Sequence, residues 1–130
     1  MNPFLAVTAV ALGGAIGSIF RYLLATWFVQ QIGSGFPWAT FTINVSGSFL
    51  IGIVLQLAAT RSGFDPHLRL FLATGILGGF TTFSTFSYET YALSGGALSF
   101  SSVFYALGSV IAGVAAVYVG VTLARAFAAA

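Results

Sequence analysis

Residues 78–90, GGFTTFSTFSYET, hold most of the groups in this chain that could do chemistry, yet they lie within an apolar run from Leu68 to about Leu93. Tandem glycines lead. Five hydroxyls follow (Thr81, Thr82, Ser84, Thr85 and Ser87), interleaved with Phe80, Phe83 and Phe86. In a helix those three phenylalanines form one stripe, as their three-residue spacing requires. Glycines weaken a helix interior, so the spacing predicts a break near 78–82 that leaves carbonyls without intrahelical donors. Freed carbonyls are hard oxygen ligands for a small cation. The half-helix beyond such a break presents N–H groups and a positive dipole end. Phenyl rings add electropositive edges. A path of ring edges, hydroxyls and an amide can therefore hold a small anion with no fixed charge. This favours anion over cation permeation without naming the ion.

Other polar groups are few. Asn44 lies about seven residues into the apolar stretch that starts at Trp38, with Thr40, Ser46 and Ser48 around it. Its amide suits either an interhelical hydrogen bond or the wall of a permeation path. Tyr105 and Ser109, four apart, share one face of a helix. Arg21, placed toward the end of the first helix, could snorkel to the headgroups or draw anions to the mouth of a polar pathway. Glu89 falls about 16 Å beyond Gly78 along a helix, near an interface, and Asp65 and His67 occupy a loop. Ionisable groups in a membrane mark function by default, and none stands at the centre of a span. That counts against proton coupling. With no cysteine, no nucleophile–base pair and no metal-ligand cluster, the sequence does not read as an enzyme.

The elements that position these groups follow from composition. Of the 130 residues 58% are hydrophobic and 5% charged, with a mean hydropathy of +1.03. A soluble domain carries about 25% charged residues. The fold class is all-α integral membrane. Spanning takes about 20 apolar residues, and four stretches qualify: about 5–32, 38–60, 68–93 and 97–127. Short links join them, so 1–130 reads as a single transmembrane domain. Alternating strands of a barrel are absent, and the N-terminus lacks the basic start of a signal peptide. Gly13 with Gly17, and Gly75 with Gly79, make GxxxG pairs suited to close helix contact. Arg61, Arg69 and Arg125 fall on one side of the membrane and Arg21 on the other. The positive-inside bias is small enough to permit either orientation.

Three motifs in order, GGAIGSIFRY, NVSGSFLIG and GGFTTFSTFSYET, resemble the Fluc family of fluoride channels (CrcB-type fluoride exporters) over essentially the whole chain. The resemblance implies a passive, fluoride-selective channel in the cell inner membrane that relieves fluoride toxicity. It also implies an antiparallel, dual-topology homodimer with two fluoride pathways. The third helix would be broken mid-membrane, and a central structural Na⁺ held by backbone carbonyls. Carried over, the Na⁺ ligands fall on Gly78 and Thr81, and the paired aromatics on Phe83 and Phe86. The pore asparagine falls on Asn44, the vestibule arginine on Arg21, and the hydroxyl track on Tyr105 and Ser109. Thr40, Thr82, Ser84 and Glu89 also match motif positions. Two departures stand out. Ala39 replaces the usual glycine, and the α-helical stripe beyond Ser109 continues as Gly113 and Val117. Two rival readings are a small proton-coupled dual-topology transporter using Glu89, and an assembly subunit packed through its glycines.

Overall fold

The computed structural model describes residues 2–129, and side chains up to residue 128. Every regular element in that range is helical: α1 (Pro3–Ile32), α2 (Trp38–Thr60), α3 (Pro66–Arg69), a π-helical segment (Leu70–Leu77), α4 (Gly78–Phe80), α5 (Phe83–Ser94) and α6 (Phe100–Ala129). Four stretches are long and apolar enough to cross a membrane: Pro3–Ile32, Trp38–Thr60, Pro66–Ser94 and Phe100–Ala128. At 1.5 Å per residue the longest reach about 45 Å, against a hydrocarbon core of about 30 Å. Their ends therefore extend into the headgroup layers or the helices tilt.

Local chemistry sets the boundaries. The Asn2 side chain accepts from the Phe4 amide (3.0 Å), with Pro3 in the first turn, where its missing N–H costs nothing. Gly33, at φ 79°, ends α1, and Gly95, at φ 60°, ends α5 in the left-handed region. Asp65 caps α3 through the amides of His67 (2.7 Å) and Leu68 (2.9 Å). The Leu68 amide, aided by the amide and charge of His67 and opposed by partial desolvation, holds the Asp65 carboxyl below the usual carboxylate range.

Lipid removes the hydrophobic drive between helices, so packing relies on close approach. A Cβ on Gly13 would stand 2.5 Å from the Phe71 carbonyl oxygen and 2.9 Å from Gly75 Cα. Only glycine allows α1 to lie this deep against the π segment. On the opposite side α2 packs along α6, where a Cβ on Gly52 would meet the Val117 carbonyl at 2.5 Å. Between these pairs sit the buried side chains Ile43, Ala73, Leu77 and Tyr105. Large apolar groups such as Phe4, Leu98 and Phe100 face outward, as suits lipid. The π segment departs from the uniform α-helix expected over this stretch. A wider turn shifts helical register by a fraction of a turn, and hydropathy does not register that.

Candidate functional site

The tandem glycines do not open the helix. Gly78 is helical (φ −65°, ψ −37°), and the extended residues are Thr81 (φ −79°, ψ 159°) and Thr82 (φ −150°, ψ 119°). Gly79 owes its identity to packing: a Cβ there would stand 2.5 Å from the Gly14 carbonyl oxygen. Side chains hold the extended pair in place. Asn44 Oδ1 accepts from the Thr82 amide (2.8 Å), and Asn44 Nδ2 donates to the Thr82 carbonyl (3.0 Å). Thr82 Oγ1 accepts from the Thr85 amide at 3.3 Å and so caps α5. The Thr81 amide and hydroxyl both donate to the Leu77 carbonyl, at 3.0 and 2.9 Å. Gly47 of α2 makes room for the Thr81 methyl.

The extended pair releases two backbone carbonyls. In a continuous α-helix the Gly78 carbonyl accepts from the Thr82 amide and the Thr81 carbonyl from the Thr85 amide. Here the first amide goes to Asn44 and the second to Thr82 Oγ1. Both carbonyls lose their intrahelical donors. The Gly79 carbonyl is different, because Arg21 Nε donates to it at 3.0 Å and Ser18 Oγ at 3.4 Å.

An open groove of about 430 Å³ gathers seven of the residues singled out from sequence: Asn44, Gly78, Thr81, Thr82, Phe83, Phe86 and Ser109. The Phe83 and Phe86 rings lie 5.9 Å apart, tilted by 46°. Phe83 is 80% exposed. Phe80 does not continue their stripe. Past the extended pair it lines a separate apolar pocket with Phe20 and Trp27. The Ser109 hydroxyl oxygen is buried with no partner among the described residues. Gly113 and Val117 extend the wall, and Ser48 from α2 joins it, its hydroxyl 3.4 Å from where a Cβ on Gly113 would stand.

Tyr105, Thr40, Glu89, Ser84 and Arg21, also singled out from sequence, lie outside the groove. Tyr105 is 1% exposed, and its hydroxyl donates to Glu89 Oε2 at 2.7 Å. Thr40 donates to Glu89 Oε1 at 2.8 Å, and the Phe86 ring lies 5.3 Å from that of Tyr105. Tyr105 and Ser109 thus share a helix face but not a surface. Ser84 is exposed on the first turn of α5. Arg21 is not at a helix end, because α1 continues to Ile32; it reaches across to α4. Ser18 and Gly47 escape a reading of the sequence. Ser18 precedes Arg21 by three positions, and that shared face is the signal that could have found it.

The model for the family described as CrcB-like protein, Camphor Resistance (CrcB), matches residues 8–121. The chain belongs to that family. The match takes in all the groove residues. Among curated relatives, a protein of Agrobacterium fabrum is 49% identical over 92% of this chain and 95% of its own length. Another, from Rhizobium meliloti, is 44% identical over 97% of this chain and 98% of its own length. A third, from Thermus thermophilus, is 48% identical over 88% and 89%. Each bears the name fluoride-specific ion channel FluC. These relatives are named as channels, not as enzymes, and the four long apolar helices make this family member a multi-pass membrane protein.

Proposed function

We propose that this chain is a fluoride-selective channel that passively exports fluoride across the cell inner membrane and so relieves fluoride toxicity. The observation that carries the reading is the groove itself. Asn44, the Phe83 and Phe86 rings and an unpartnered Ser109 hydroxyl line one wall that bears no charge. Fluoride is compact and strongly hydrated, so a narrow pathway must replace its water with donors. Hydroxyls, an amide and electropositive ring edges supply those donors without the strong electrostatic well that would trap the ion. Thr82 and Ser84 belong to the same hydroxyl-rich turn. Ser48, beside Gly113, carries the polar track past Ser109.

On this reading the third span is broken mid-membrane at Thr81–Thr82, and two copies insert antiparallel to form a dual-topology homodimer. The donor set fits a small hard cation, since the carbonyls of Gly78 and Thr81 have lost their intrahelical donors. Together with the same pair from a second copy they would hold Na⁺. When bound, the ion offsets the carbonyl dipoles and ties the subunits. Tyr105, Thr40 and Glu89 brace the groove from behind through the ring contact with Phe86. Both Glu89 oxygens accept hydroxyls, which supports this bracing role over proton coupling.

Fluoride efflux from proteoliposomes tests the proposal. Purified protein is expected to pass fluoride and to exclude chloride; no fluoride flux, or equal chloride flux, would sink the reading. Phe83→Ile and Phe86→Ile are each expected to abolish flux while the assembly elutes unchanged on size exclusion. Full flux in both removes the rings from the pathway.

A further inference from the structure

The Arg21 guanidinium is tied to the backbone beside the extended pair rather than left in open solvent. Its Nε donates to the Gly79 carbonyl at 3.0 Å, and Ser18 Oγ, one turn earlier on α1, points at the same oxygen from 3.4 Å. Gly79 is the middle residue of α4, whose regular bonding ends at Phe80. Its carbonyl is therefore one of the orphan acceptors at a helix C-terminus. A cation there also suits the negative end of the helix dipole. The ion pair found among the described residues joins His67 and Asp65, so no carboxylate holds Arg21 in this position. What holds it is a neutral carbonyl.

We infer that Arg21 is a positioning residue: through its Nε–H it fixes the Gly79 carbonyl and hence the geometry of the extended pair. Two flanking helices grip the same turn. From α1, Ser18 and Arg21 hold residue 79; from α2, Asn44 holds residue 82. Thr81, whose carbonyl is released, lies between the two held residues, and Gly78, whose carbonyl is also released, directly precedes them. On this account the directed N–H of Arg21 matters more than its net charge. An arginine acting only as an anion attractant needs the charge and not the bond.

Side-chain chemistry separates the two roles. The amide nitrogen of glutamine is as many bonds from the backbone as arginine Nε, so Arg21→Gln keeps a planar N–H donor in place and loses the charge. Lysine has a methylene at that position and carries its N–H groups one bond further out, so Arg21→Lys keeps the charge but removes the donor from the place where Nε meets the Gly79 carbonyl. The inference rests on the channel reading only for its flux arm. Fluoride efflux is measured for parent and both variants, alongside hydrogen–deuterium exchange of peptides covering residues 78–86 in lipid nanodiscs. Exchange in Arg21→Lys is expected to quicken roughly tenfold, the scale of one lost charge-assisted hydrogen bond, with a comparable drop in flux. Arg21→Gln should stay within about threefold of the parent in both, as a retained neutral bond allows. The reverse ranking, or the same exchange in all three proteins, overturns the inference. If the parent passes no fluoride, the channel reading fails while the exchange comparison still decides the role of Arg21.

Discussion

Asn44 does at one peptide what a neighbouring strand does along a sheet, giving and accepting a hydrogen bond at Thr82. Left alone in lipid, that peptide would stay in a helix, because unpaired backbone groups cost several kcal/mol there. The interhelical bond that the sequence allowed for Asn44 is present: its amide spans to the Thr82 backbone of the third span, and the same residue borders the groove. Asn44→Ala should therefore destabilise the protein by at least about 1–3 kcal/mol, the penalty for each buried group left unpaired, since the Thr82 amide and carbonyl both lose their partner. Chemical unfolding in detergent measures it, and an unchanged midpoint would mean that the Thr82 peptide finds other partners. Arg21 shows the opposite lesson. Residue type drew attention to it, but its partner lies 58 positions away, and no local pattern announces that.

Helix faces are set by glycines that are not interchangeable. A Cβ on Gly13 would strike backbone at 2.5 and 2.9 Å, while one on Gly14 meets nothing within 4 Å. Gly13→Ala must push α1 off the π segment, and overpacking of this kind costs about 1–3 kcal/mol. Gly14→Ala should instead gain about 0.5–1 kcal/mol from helix propensity. Thermal unfolding of the two variants side by side checks the contrast, and equal effects would discard the packing argument. The four long apolar stretches were legible because length and hydropathy suffice to define them. The π turn and the extended pair were not. The sequence placed a break where glycines weaken the helix, whereas the backbone leaves it where Asn44 and the Thr82 cap offer substitute bonds.

At the scale of the molecule, the groove is open and Phe83 is 80% exposed. An ion path needs a second wall, which an antiparallel second copy would provide. Two measurements test this arrangement. Native cysteine is absent, so Ser62→Cys gives a single label in the loop between α2 and α3. With so weak a positive-inside bias, an impermeant thiol reagent should reach about half the molecules from each side of the membrane. Labelling from one side only would exclude dual topology. Replacing Na⁺ by a bulky organic cation should reduce fluoride flux, since the Gly78 and Thr81 carbonyls suit a small hard ion. Undiminished flux after exhaustive exchange would argue against a cation holding the two copies together.

The sequence by itself determined that the chain lives in a bilayer, that four helices cross it, and that polar chemistry concentrates in one apolar run. Composition and span length carry that information locally, because lipid demands apolar side chains and internally bonded backbone. Only the tertiary structure decided which backbone groups are released and which are held. Asn44, Arg21 and Ser18 come from helices distant in sequence, and each changes the hydrogen-bond partner of a residue in 79–82. The same three-dimensional packing turned Tyr105 away from Ser109 and toward Glu89, dividing a single predicted track into a groove wall and a buried brace.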